Sequence, residues 1–148
     1  MRVVIASDHG GINLSKEIKL ELEEMDIEYI DLGCEGVSSV DYPDFAFTAA
    51  DMVTKGLAER GILICGTGIG MSISANKVKG IRCALVHDVF SAKATREHND
   101  SNMIAMGERV IGVGLAKEII RTWLTTDFEG GRHENRIHKI TEYENKEV

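Results

Sequence analysis

The chain has 148 residues, 43% hydrophobic and 28% charged, which fits one ordinary globular domain burying roughly 68–70% of its unfolded surface in a single core. Its formal net charge of −7 argues against a nucleic-acid backbone as main partner, and no stretch approaches the ~20 apolar residues of a membrane span. The opening Met1-Arg2-Val3-Val4-Ile5 reaches polar Ser7-Asp8-His9 too soon for a signal peptide, and Cys34, Cys65 and Cys83 form an odd set without metal-ligand spacing, so reduced thiols in a cytoplasmic protein are expected.

Short apolar runs alternate with longer amphipathic ones, the pattern of a parallel sheet covered by helices. Val3–Ala6 predicts a first strand, and Leu14, Ile18, Leu22 and Met25 form one stripe of the helix that follows. Ile27–Leu32 reads as a second strand, ended by Gly33 and Gly36. Asp41-Tyr42-Pro43-Asp44 starts a helix to about Lys55, with proline tolerated in its first turn and acids favoured there. The third strand is Ile62–Cys65, followed by a helix over Met71–Lys77, and the fourth strand is Ile81–Val86. His87-Asp88 caps a helix through about His98, Asn102–Met106 is the fifth strand, and a further helix begins at about Val110. Gly130-Gly131 breaks the chain before a last amphipathic helix, about 131–145. With no linker or repeat, residues 1–148 are expected to form a single three-layer α/β domain on a five-stranded parallel sheet.

Ligands of open parallel sheets bind outside the carboxyl ends of the strands. Those ends carry Ser7-Asp8-His9, Cys65 to Gly70, His87-Asp88 and Gly107-Glu108-Arg109, while His98-Asn99 lies just past the fourth helix. Gly66-Thr67-Gly68-Ile69-Gly70 is not a Walker A loop, since no Lys-Ser or Lys-Thr follows at the required spacing, and its GxGxG order is not the dinucleotide fingerprint. Its glycines let backbone approach a ligand closely, and N–H groups at the start of the next helix suit an anion. Cys65, where the strand emerges, is open to three readings: a nucleophile, a proton-abstracting base, or a packing residue in a tight turn. Cys83 in an apolar strand and Cys34 in a glycine-flanked turn read as structural.

His98 sits in polar Arg96-Glu97-His98-Asn99-Asp100, which argues against core packing and leaves a general acid, a surface residue or a helix C-terminal cation. A metal site from Asp8, His9, His87, Asp88 and His98 is disfavoured, because no pair has the i, i+4 spacing of a helical metal motif. Arg132 and Arg136 are four apart and share a helix face, with His133, His138 and Lys139 nearby. With Glu129, Glu134 and Glu142 close by, this cluster reads either as a solvated face or as a forked clamp for a phosphate. A phosphate clamp, a base, an acid and an oxyanion hole together suit proton transfer beside the carbonyl of a sugar phosphate.

Ala6 to Gly11, Asp41 to Asp44, Gly61 to Lys77, Arg96 to Asp100, Gly107 to Val110 and Phe128 to His133 resemble, in order and over essentially the whole chain, the ribose-5-phosphate isomerase B family. The wider family includes galactose-6-phosphate and allose-6-phosphate isomerases. The resemblance implies a Rossmann-like α/β/α sandwich, a homodimer or a tetramer of dimers with shared active sites, and interconversion of ribose 5-phosphate and ribulose 5-phosphate. It implies no cofactor and no metal, and no nucleic-acid or membrane partner. By position, Cys65 matches the base that removes the C2 proton and His98 the residue that opens the furanose ring. Asp8, His9, Asn99, Arg109, Arg132 and Arg136 match substrate contacts, the arginines chiefly at the phosphate. Gly66, Thr67, Gly68, Ile69 and Gly70 match the enediolate hole, with Thr67 close to the sugar. Some family members place a carboxylate base just after the loop; here Met71 stands there and cannot accept a proton, which leaves Cys65. The remaining rivals are a hexose 6-phosphate isomerase, a non-catalytic phosphate-binding module and a cysteine hydrolase.

Overall fold

Strands bury both faces in this chain, and their residues alternate between two separate cores. The computed structural model describes residues 1–36 and 38–146. Five parallel strands, β1 (Arg2–Ser7), β2 (Glu28–Asp31), β3 (Arg60–Cys65), β4 (Cys83–Leu85) and β5 (Met103–Gly107), lie in the order β2-β1-β3-β5-β4. Val3, Ile5, Ile62, Ile64, Ile104 and Met106 face one core, whereas Val4, Ala6, Leu63, Cys65, Met103 and Ala105 face the other. This alternation is why the central strands β1, β3 and β5 read as apolar runs.

The first core is covered by α1 (Ile12–Glu24), α4 (Val89–Asn99) and α5 (Val113–Thr125), and the second by α2 (Tyr42–Thr54) and α3 (Ile69–Ala75). A sixth helix, α6 (Arg132–Glu144), lies outside this sandwich against α4. The three-layer arrangement is the one expected. Several boundaries differ. The helix after the glycine loop begins at Ile69 rather than Met71, because Gly68 takes a left-handed φ of +76° and caps it. The edge strand β4 is three residues long, and the Asn76 amide closes it by exchanging two hydrogen bonds of 2.8 Å with the Cys83 backbone. α5 begins at Val113 rather than Val110, since the Val110 and Ile111 N–H groups turn back onto Gly107 O.

Successive strands leave β1 in opposite directions, β2 on one side and β3 on the other. The crevice between the carboxyl ends of β1 and β3 is therefore the topological switch point where such sheets bind ligands.

Candidate active site

Glycines close the crevice around Cys65. A Cβ on Gly11 would stand 2.5 Å from Ile64 O, and one on Gly10 would stand 3.0 Å from Gly66 N, so the turns after β1 and β3 touch through backbone. Asp8 is buried at this junction; its N–H donates to Ile64 O and its Oδ1 accepts the Gly10 N–H at 2.8 Å. His9 Nδ1 accepts the Val40 N–H at 3.3 Å, which leaves Nε2 as the proton-bearing nitrogen of the neutral ring.

The Cys65 sulfur is buried and accepts the Gly68 N–H at 3.1 Å, a contact that strengthens when the sulfur carries charge. Among the described residues the Gly66 and Thr67 N–H groups have no protein acceptor, so the loop presents donors beside the thiol. Thr67 Oγ1 accepts the Ile69 N–H at 3.3 Å. Tyr42 covers the far side: a Cβ on Gly70 would come within 2.6 Å of its ring. The Arg109 guanidinium lies along Gly66, held by backbone bonds from Arg109 N to Gly66 O and from Glu108 N to Cys65 O. Met71 is wholly buried in the core and takes no part in this surface.

Burial pushes the Cys83 thiol up to about 12, and burial with the neighbouring Asp8 carboxylate raises Cys34. Both shifts disfavour the thiolate. His87 and Glu108, though at strand ends, serve the scaffold. Neutral His87 Nε2 accepts the Gly107 N–H at 3.0 Å, and burial lowers its pKa against the weaker pull of Asp88. Glu108 caps the first turn of α1 through Leu14 N at 2.9 Å and Asn13 Nδ2 at 3.0 Å.

His98, Asn99, Arg132 and Arg136 are elsewhere. α4 starts at the carboxyl end of β4 and returns the chain to the amino end of the sheet, where β5 begins. The Asn99 carbonyl there accepts from Arg82 Nε at 2.9 Å, just ahead of β4. Eleven helical residues at 1.5 Å each place this cluster about 16 Å below the crevice. The six residues of β3, at about 3.3 Å each, give a similar separation. The start of α6 is fastened alongside by Glu129 N to Glu97 O at 3.1 Å. His133 is buried against His98, the two rings stacked with centroids 4.3 Å apart, a partnership that sequence reasoning missed. Burial, then the nearby His98, Arg132 and Arg136 charges, lower the His133 pKa, with Glu129 opposing them. Arg132 and Arg136 are exposed on adjacent turns of α6, and among the described residues neither is ion-paired. The candidate residues thus fall into two clusters at opposite ends of the sheet.

Residues 3–140 match the family described as Ribose/Galactose Isomerase. A Bacillus subtilis protein, YwlF, named as a candidate sugar phosphate isomerase, is 68% identical over 149 residues and covers 100% of each chain. The solved structure of Clostridium thermocellum ribose-5-phosphate isomerase B is 52% identical, covers 97% of both chains and superposes with a TM-score of 0.95. That of Mycoplasma genitalium ribose-5-phosphate isomerase B with bound ribulose-5-phosphate is 41% identical, covers 99% of this chain and 97% of its own, and also has a TM-score of 0.95.

Proposed function

The chain belongs to the ribose/galactose isomerase family, and from that premise we propose that it interconverts D-ribose 5-phosphate and D-ribulose 5-phosphate through an enediolate. The observation that carries this reading is the buried Cys65 sulfur beside unpaired loop N–H groups at the switch point. Thiolate Cys65 takes the C2 proton of the open aldose, and the Gly66 and Thr67 N–H groups receive the charge that develops on oxygen. One such donor is typically worth ~2.7–4 kcal/mol in the transition state. Asp8 and His9 hold the sugar, Thr67 lies close to it, and Arg109 reaches from β5 across Gly66. A proton passes from the O2 hydroxyl to O1, and return of the abstracted proton from Cys65 to C1 gives the ketose. The proton transfers need no cofactor, which fits a cytoplasmic enzyme with three unlinked thiols.

The second half-site comes from a second copy of the chain. His98 of the partner subunit moves the proton between the ring oxygen and O1, while its Asn99, Arg132 and Arg136 hold the far end of the substrate. Apolar surface on the crevice side supports such a partner: Phe90 is 81% exposed, and Ile69, Ile73 and Leu85 are exposed on the same side. No helix among the described residues is long and apolar enough to cross a membrane.

The test is incubation of ribose 5-phosphate in heavy water, with ketose and C2 deuterium both quantified. Wild-type protein forms ribulose 5-phosphate and exchanges C2, while Cys65→Ala does neither yet still binds the phosphate ligand. Full exchange by Cys65→Ala removes Cys65 as base. Faster turnover of allose or galactose 6-phosphate in the same assay moves the substrate assignment to the hexoses.

A further inference from the structure

Glu129 folds back over His133 through Gly130 and Gly131, whose φ angles of +68° and +58° turn the chain sharply before α6. All three corners of the resulting cluster are fastened by backbone. His98 occupies the last turn of α4, Glu129 N donates to Glu97 O one residue away, and His133 N donates to Gly130 O at 3.1 Å. One ligand atom from each of His98, Glu129 and His133 lies within 4.8 Å of the others. His133 Nε2 and Glu129 Oε2 are 3.5 Å apart. Two ligands on a tetrahedral zinc with bonds of 2.0–2.2 Å stand about 3.3–3.5 Å apart, so this pair already has the required spacing. His98 supplies the third ligand atom, and joint coordination would require its ring to tilt from its present stack, 15° from the plane of His133.

We infer that His98, Glu129 and His133 form a binding site for a borderline divalent transition-metal ion, zinc being the type, with the fourth position open to water. Two imidazoles and one carboxylate suit zinc, copper or nickel over magnesium or calcium, which require oxygen ligands. Arg132 and Arg136 flank His133 on the same helix. The two arginines repel a cation; the Glu129 carboxylate supplies the opposing charge. The bound ion occupies the His98 nitrogen lone pair, so it inhibits the isomerase reversibly without serving as a cofactor. That consequence, though not the site itself, rests on the reading of His98 as the ring-opening residue.

The experiment is titration of the full chain with zinc in competition with a chromophoric chelator, and with cobalt(II) as a spectroscopic probe. The expected result is one ion per chain at micromolar affinity or tighter, with cobalt bands of tetrahedral nitrogen and oxygen ligation. Glu129→Gln and His133→Asn each weaken binding tenfold or more, and Glu129→Gln leaves metal-free turnover unchanged. The absence of binding, affinity unaltered in both variants, or a thiolate-to-cobalt band that vanishes in Cys65→Ala overturns the site. Full isomerase activity with the ion bound at these residues leaves the site standing and refutes the role given to His98.

Discussion

Mixing two inactive variants tests the division of the site between subunits. Under the proposed chemistry Cys65→Ala removes the base from the crevice, and His98→Gln removes the ring-opening group about 16 Å away at the other end of the same sheet. A side chain must come within about 2.6–3.2 Å of the proton it transfers, so these two groups of one chain cannot serve one five-carbon sugar. Each homodimeric variant therefore has two defective sites. When the variants are co-expressed or exchanged in equal amounts, half of the dimers are mixed. In a mixed two-fold dimer one site carries both lesions and the other carries neither, which restores about a quarter of all sites. The expected outcome is ~25% of wild-type kcat per site, with a wild-type KM, in the ribose 5-phosphate to ribulose 5-phosphate assay. Differently tagged chains, purified over both tags, raise that figure to about half. Proven exchange with no activity above that of the separate variants refutes the shared site.

Gly68→Ala places a Cβ 2.8 Å from the Met106 carbonyl carbon at a φ of +76°, and should cost roughly 2–4 kcal/mol. That corresponds to a fall in Tm of about 5–15 °C, and a change under 1 kcal/mol in urea unfolding contradicts the packing argument. Glu108→Ala leaves the α1 N-terminus uncapped and should lose about 1–2 kcal/mol, with kcat and KM unchanged in the folded protein; a tenfold loss of kcat places Glu108 in the chemistry instead. His87 and His133 both have folded-state pKa values below that of the unfolded chain, so the folded state resists their protonation. Their contribution is fully present above about pH 6.5 and is lost as pH falls below it. Urea midpoints should therefore drop between pH 7.5 and 5.5, less steeply in His87→Asn; equal slopes for wild type and variant discount the His87 contribution.

What the sequence made legible follows from short-range rules. The Cys65 loop was visible because an apolar strand, alternating glycines and a following helix adjoin in sequence, and because parallel sheets bind ligands at carboxyl ends. The same reasoning drew Glu108 and His87 toward the site, although one caps a helix through Leu14, 94 residues away, and the other accepts a backbone N–H from β5. Those partners are tertiary, so no local pattern announces them. The His98–His133 stack is hidden for the same reason. The four-residue spacing of Glu129 and His133 was on view, but the hydrogen bond to Glu97 that brings His98 to them was not.

The separation of the half-sites is a consequence of topology. A helix that connects parallel strands must return the chain to the amino end of the sheet, so a residue in its last turn is removed from the crevice by about the length of a strand. Residue type alone therefore groups Cys65 with His98, whereas the crossover keeps them apart within one chain. Under the proposed chemistry each chain offers a base and an enediolate hole at one end, and an acid and a phosphate clamp at the other. Two such chains, placed antiparallel across a two-fold axis, satisfy both ends at once, and that symmetry generates two equivalent sites. Oligomerisation is then a condition for turnover as well as a means of covering apolar surface, and a variant that separates the subunits while remaining folded should lose activity entirely.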